Sequence, residues 1–197
     1  YVALSSVVLL IIGETERWST TMFSAYVAPA VSGYVAKFKG ILQKEGFTGE
    51  LLFIQSNGGT ATPEIVTENP ATILLSGPAA GPALGLTLGL TQDQKNILSV
   101  DMGGTSFDIG VVHDGVVDIV QQQFIDAKKY ALPSVYISAA GAGGGSIAWI
   151  DGSGRLQVGP KSAGSNPGPA CYGAGGEEPT VTDANMILGY LDPNFFL

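Results

Sequence analysis

Hydrophobic positions along this chain follow helical spacing in one stretch and short continuous apolar runs in several others. From Ser19 to Glu45, Met22, Phe23, Tyr26, Val27, Ala30, Val31, Tyr34, Val35, Phe38, Ile41 and Leu42 recur at intervals of three and four, the period of one helix face. The spacing predicts a long amphipathic helix. Ser19, Thr20 or Thr21 can cap its start, Pro29 removes one ladder bond and should kink it, and Gly46 supplies a stop. Val7 to Ile12 is apolar throughout; it lacks a basic flank and is too short for a membrane span, so it reads as a buried strand.

Downstream, Glu50 to Gln55 is a short apolar run suited to a central strand, and it discharges into the turn Ser56-Asn57-Gly58-Gly59. A short helix is expected from Pro63 to Glu68 and a small strand from Ala71 to Leu75. A second long helix should open at Ser76-Gly77-Pro78, with Pro78 in its first turn and Gly85 and Gly89 permitting close packing. Ile97 to Val100 is a strand leading into Asp101-Met102-Gly103-Gly104-Thr105-Ser106-Phe107-Asp108. Val111-Val112 continues extended, His113-Asp114-Gly115 marks a hairpin, and Val116 to Val120 returns. Ser134 to Ser138 and Ser146 to Ile150 read as further strands, separated by a glycine cluster at 141–145. The turn at 151–154 follows, then a Gly- and Pro-rich loop from Gly159 to Gly176. Thr182 to Asn185 can cap a final short helix from Met186 to Tyr190.

Composition narrows the function classes. Of 197 residues, 45% are hydrophobic, enough to bury a core, so disorder is not the default. Nine basic against seventeen acidic residues give a net charge of -8, which repels nucleic-acid backbone and anionic lipid. Small anions are still allowed, because backbone N–H groups can hold them without a basic side chain. Cys171 is the single cysteine. An intramolecular disulfide is impossible, and the composition fits a reducing compartment such as the cytoplasm. His113 is the single histidine and sits in an expected hairpin turn, where solvent exposure explains it better than catalysis.

The chemistry concentrates where a strand ends on Asp101. A carboxylate there can hold Mg²⁺ directly or through water. Gly103 and Gly104 leave backbone bare enough to touch phosphate oxygens, and Thr105 adds a hydroxyl. A plain hairpin turn accounts for the same residues at lower cost. The cluster with Gly143, Gly144 and Gly145 is open to two readings, an anion nest or a flexible strand connection. With no basic residue near it in sequence, Cys171 reads as buried and inert. Asp183 and Asn185 could reach into a site, though helix capping explains them at lower cost, and Trp18 and Trp149 read as packing residues.

Six ordered strings add a resemblance. "IQSNGG", "ILLSGPAAG", "DMGGTSFDIG", "GAGGGSIAW", "VGPKSAGSNPGPACYG" and "EPTVTDANMILGYLDP" span roughly residues 50 to 195, and "ERWSTTMFSAYVAP" extends the likeness towards the start. The chain resembles the hydantoinase A and 5-oxoprolinase family, which includes acetone and acetophenone carboxylase subunits, within the superfamily of actin, sugar kinases and heat-shock chaperones.

That resemblance implies a partial α/β, actin-like ATPase (ribonuclease-H-like) fold. Residues 1–89 would form the end of a first lobe with its interlobe linker helix, and residues 90–197 part of a second lobe. It implies ATP and Mg²⁺ as cofactors, phosphorylation of an amide, lactam or ketone oxygen, and a partner of the hydantoinase B type. By the same resemblance Asp101, Gly103, Gly104 and Thr105 form the second phosphate loop, with Asp101 near the metal. Asp108 orders the turn, Ser76, Gly77 and Pro78 form the linker that senses closure, and Asn57 to Gly59 face the cleft. The superfamily's first phosphate loop has no counterpart here. Together with the apolar opening and the close on Phe195, Phe196 and Leu197, this suggests an excised fragment, inactive alone. A nucleotide-driven, chaperone-like switch and a purely structural interaction domain are the rival classes.

Overall fold

Helix α2 (Glu14–Lys44) organises the first half of the computed structural model, which describes residues 1–125 and 127–195. The chain divides into two compact units, residues 1–99 with 110–137, and residues 100–109 with 138–197. Phe196 and Leu197 lie outside the described residues.

In the first unit, α2 begins five residues before the expected start. Its N-cap is Gly13, without a side-chain cap, and Glu14 and Glu16 occupy the first turn, where carboxylates favour the positive end of the helix dipole. The anticipated caps are interior residues instead. Thr20 and Thr21 donate their hydroxyls back to the carbonyls of Glu16 and Arg17, a bond that satisfies a mid-helix threonine. The helix continues through Pro29. It stops as expected: Phe47 N–H reaches Leu42 O at 2.9 Å and Gly46 N–H reaches Gln43 O at 3.2 Å, with Gly46 at φ 75°. These are the paired bonds of a Schellman ending. The buried stripe of α2 consists of Thr20, Ser24, Ala28 and Val35, while Met22, Tyr26 and Tyr34 are exposed.

Two apolar runs did not become strands. The segment read as strand 7–12 instead ends a single turn, α1 (Ser5–Val8), and continues as irregular chain; of its residues Val8 and Leu9 are buried and Ile12 is fully exposed. Of the expected strand Ala71 to Leu75, the first three residues lie in a 3-10 turn, Pro70–Ile73, followed by Leu74 and the left-handed Leu75, because Pro70 fixes φ for helical entry and supplies no ladder donor. The expected central strand is a two-residue β1 (Phe53–Ile54), paired antiparallel with β2 (Thr60–Ala61). Helix α3 (Pro63–Glu68) matches the reading, and α4 (Ser76–Leu90) carries Pro78 in its first turn as expected.

Tyr130, fully buried, centres one core with Val8, Leu9, Ala71, Ala131 and Leu132. Its hydroxyl donates to Ala71 O, its ring meets Phe23 edge-on at 6.1 Å, and burial pushes its pKa up. A second core joins Val35, Ala61 and Val66. The glycines of α4 work as the sequence suggested. A Cβ on Gly85 would meet Ile97 at 3.3 Å, and one on Gly89 would strike Gln94 O at 2.7 Å, so the helix can lie close to the following strand only without side chains there.

That strand, β3 (Ile97–Met102), and β4 (Phe107–His113) cross in sequence from one unit to the other. In the sheet, β4 lies between β3 and β10 (Ile137–Ala140), and β5 (Val116–Val117) also pairs with β4. The turn between β4 and β5 has Asp114 at φ 49° and Gly115 at φ 76°, the left-handed pair that a tight hairpin needs. Beyond it the expected return strand is split. β6 (Ile119–Val120) pairs with β9 (Ser134–Val135), and the intervening chain forms a hairpin of β7 (Gln123–Ile125) with β8 (Lys128–Tyr130).

In the second unit, β11 (Ser146–Ile150) pairs antiparallel with β12 (Leu156–Ser162). β12 occupies the start of what the sequence presented as a glycine loop. Helix α5 (Val181–Ile187) starts earlier than expected, because Thr180 is its N-cap and Asp183 completes a reciprocal capping box.

Candidate functional site

The turn at 103–106 joins β3 to β4 within the second unit, and Gly103, Gly104 and Thr105 are exposed. Gly103 N–H donates to Ser106 O at 2.9 Å, closing its base. Ser106 Oγ donates to Asp108 Oδ2 at 3.0 Å, which gives Asp108 the ordering contact anticipated for it. Asp101, next to last in β3, is exposed, and its side chain has no hydrogen bond or ion pair to another described residue.

Gly143, Gly144 and Gly145 lie directly behind this turn. Their N–H groups donate to Thr105 O at 3.2 Å, Gly103 O at 2.8 Å and Gly104 O at 2.7 Å, respectively. The expectation that these three N–H groups form an anion nest is therefore corrected, since each is already given to a carbonyl of the turn. Neither are they a loose connection. A Cβ on Gly143 would lie 2.5 Å from the backbone of Thr105, and one on Gly145 would lie 2.9 Å from Gly104 O, so only glycine allows two backbones to approach this closely.

Fixing the carbonyls fixes the amides. The peptide bonds of the turn are trans, so each C=O points opposite to the N–H of the next residue. With the carbonyls of Gly103, Gly104 and Thr105 drawn to the glycine cluster, the N–H groups of Gly104, Thr105 and Ser106 face the other way. None of the three donates to another described residue.

The cluster is braced in turn by α5. Thr182 N–H and Oγ each donate to Gly144 O at 2.8 Å, and Ala163 N–H donates to Gly145 O at 2.8 Å. Asp183 anchors the helix start, accepting from Cys171 N–H at 2.7 Å, Thr180 N–H at 2.8 Å and Thr180 Oγ at 2.7 Å. Burial acts to raise its pKa, but the hydrogen bonds from Thr180 and Cys171 outweigh it and lower the value to about 2. Burial, reinforced by the Asp183 carboxylate, pushes the Cys171 thiol up, which agrees with an inert cysteine.

A cavity of about 320 Å³ opens beside the turn, lined among others by Gly103, Gly104, Gly145, Tyr172, Thr182 and Asn185. No lining residue carries a charge. Asn185 is half-buried and its side chain has no described partner. Sequence reasoning assigned it to capping, but the cap is Thr180 with Asp183.

The remaining expected residues belong to the first unit. Asn57 Oδ1 accepts from Gly59 N–H at 2.9 Å, shaping its own turn, and Gly58 sits at φ 80° within 3.4–3.8 Å of Val135, Ala83 and Ala79 for an added Cβ. Ser76 and Gly77 open α4 behind Leu75, which holds a left-handed φ of 61°. His113 is exposed, as expected of a hairpin turn. Among the described residues no group of three His, Cys, Asp or Glu side chains could cage a metal ion. A single free carboxylate such as Asp101 suits Mg²⁺, which commonly takes one or two protein carboxylates and fills its remaining positions with water and phosphate oxygens.

The hydantoinase/oxoprolinase family model matches residues 17–197, and the chain belongs to that family. It is 43% identical to the caprolactamase alpha subunit of Pseudomonas jessenii over 91% of this chain and 26% of that relative. It is 38% identical to the acetophenone carboxylase gamma subunit of Aromatoleum aromaticum over 99% of this chain and 27% of the relative. Among solved structures, nucleotide-free acetone carboxylase superposes with a TM-score of 0.81 at 30% identity, covering 96% of this chain and 27% of that one. The ATP-dependent caprolactamase from P. jessenii gives 0.75 at 41% identity, covering 96% and 28%. The chain thus spans about a quarter of each of these relatives. No described helix is long and apolar enough to cross a membrane.

Proposed function

We propose that this chain is part of an ATP-dependent enzyme that phosphorylates the oxygen of an amide, lactam or ketone, with the 103–106 turn as a phosphate-binding loop of an actin-like fold. The observation that carries the reading is the pinned row of peptides. Three consecutive N–H groups, on Gly104, Thr105 and Ser106, face away from the carbonyls that hold them in register. Such a row offers an anion several donors whose orientation costs nothing at the moment of binding.

ATP supplies the phosphoryl group that makes a carbonyl oxygen a leaving group, opening the carbon to water or a carbon nucleophile. The three N–H groups would hold phosphate oxygens, Thr105 would add its hydroxyl, and Asp101 would hold Mg²⁺. Gly103 and Gly104 keep that surface sparsely covered by side chains, and Gly143, Gly144 and Gly145 hold the turn from behind. Asn57, Gly58, Ser76 and Gly77 are assigned to the first lobe and the linker, and the superfamily's first phosphate loop has no counterpart among residues 1–197. On this reading these residues alone do not turn over ATP. The partner would be a second subunit, consistent with relatives named as alpha and gamma subunits.

Titration of the full-length protein with Mg·ATP, followed by phosphate release with caprolactam, 5-oxoproline, acetone and acetophenone, tests the reading. Binding with stimulation by one of the four is expected. Absence of Mg·ATP binding would favour a structural domain, and binding that no small molecule stimulates would favour a nucleotide switch.

A further inference from the structure

We propose that the exposed ridge of α2 formed by Trp18, Met22 and Tyr26 is the surface on which the second subunit docks, through an acidic amphipathic helix of that subunit. This inference rests on the reading that a second subunit partners the chain, and adds to it which face is covered and by what chemistry. The ridge lies wholly within the first unit.

The amphipathicity of α2 is inverted at this end. Thr20, Ser24 and Ala28 are each at most 1% exposed, whereas Trp18, Met22 and Tyr26 are 66%, 71% and 83% exposed. The helix buries small and polar side chains and leaves bulky apolar ones to water, a costly arrangement unless something covers them. The three exposed residues recur every fourth position, so they form one ridge of the helix surface. Met22 stands between two hollows. One, of about 370 Å³, is walled in part by Leu4, Ser5 and Trp18, and the other, of about 390 Å³, by Phe23, Tyr26, Ile125 and Lys128. A ridge flanked by hollows is the relief that a second helix fits, its groove taking the ridge and its side chains filling the hollows.

Charge and residue type indicate what that helix carries. Lys128 lines the second hollow and makes no ion pair with a described residue. At the first hollow, Arg17 is half-buried, its Nη2 donates to Ser5 Oγ at 2.8 Å, its Nε is buried without an acceptor, and no described carboxylate pairs with it. An incoming carboxylate completes such a guanidinium with charge-assisted hydrogen bonds. A second copy of the chain would set the same two cations against themselves across a two-fold axis, which disfavours self-association. Trp, Tyr and Arg concentrate at contacts between chains, whereas fully buried core positions within one chain favour Ile, Val and Leu. The occupant is therefore an apolar helix face flanked by Asp or Glu, on another polypeptide.

The test uses the full-length protein and the second subunit, purified separately and titrated against each other by calorimetry at low and high salt. Met22→Glu should raise the Kd about tenfold or more. Lys128→Glu should raise it several-fold at low salt, with the difference shrinking at high salt. Ile41→Glu, about five turns further along the same helix at a residue 45% exposed, should leave it unchanged. The inference is overturned if either Met22→Glu or Lys128→Glu binds the subunit at low salt as wild type does. It is equally overturned if Met22→Glu lowers the melting temperature of the lone full-length protein, which would mean that its own chain covers the ridge, or if it turns a lone wild-type dimer into a monomer, which would place a second copy there. A wild type that does not bind the second subunit at all sinks instead the reading that such a partner exists.

Discussion

The N–H of Gly144 donates to the carbonyl of Gly103 at 2.8 Å, while the carbonyl of the same Gly144 receives both the N–H and the hydroxyl of Thr182. One glycine thus transmits the position of α5 to the exposed turn, and the turn's geometry depends on residues far along the chain.

Asp101→Asn in the intact protein should lower Mg·ATP turnover by roughly 10²-fold, the scale seen when a preorganised electrostatic contact is removed. Its side chain is exposed and unpaired, so the melting temperature should move by no more than about 0.5 kcal/mol would cause. Steady-state kinetics beside calorimetry checks both, and equal losses of activity and folding would count against a metal-binding role.

Gly143→Ala should abolish Mg·ATP binding and cost about 1–3 kcal/mol, as an overpacked interior does, because the new methyl would lie 2.5 Å from the Thr105 backbone. Gly141→Ala is its control. That position has nothing within 4 Å of an added Cβ, and its variant should bind nucleotide normally. Parallel titrations would decide, and equal behaviour of the two variants would mean that the glycine stack does not shape the turn.

Thr182→Val keeps the shape of the side chain and the Thr182 N–H bond but removes the hydroxyl donated to Gly144 O at 2.8 Å. A loss of about 1 kcal/mol in stability is expected, together with a several-fold rise in the KM for Mg·ATP. Thr182→Ser should restore both. A rise in KM that serine does not reverse would point to packing of the methyl group instead.

Asp183 should give the second unit a distinct acid sensitivity. Its pKa is lowered from an ordinary 3.8 to about 2, so the stabilisation is fully present above pH 3.8. It fades as pH falls towards 2. Chemical denaturation between pH 5 and about 2 should show this loss in wild type and a flatter profile in Asp183→Asn. Superimposable profiles would refute the linkage.

Much of this architecture could be read from residue pattern, and each departure has a physical cause. Helix α3, the opening of α4 and the left-handed turn at Asp114-Gly115 followed from Pro and Gly at positions only those residues fill well. The start of α2 was misread because Thr20 and Thr21 look like caps, whereas in mid-helix their hydroxyls serve carbonyls four residues back. β12 was hidden by Gly159 and Pro160, which punctuate most strands but are carried within this one. For the site, local sequence identified the turn but not its support. No local rule states that Gly143, Gly144 and Gly145 bond to residues some forty positions earlier, or that Asn185 lines the same cavity as Gly103.

The glycine stack also imposes an order on synthesis. At about 5–20 residues per second, a ribosome delivers the turn some seconds before the strand connection that moulds it, and later still the helix that steadies that connection. Until then the nascent hairpin has its carbonyls wetted and its amides unaligned. The final geometry of the turn is therefore acquired near the end of translation of this stretch, and a transcript cut short after β10 would yield the recognisable motif without its support.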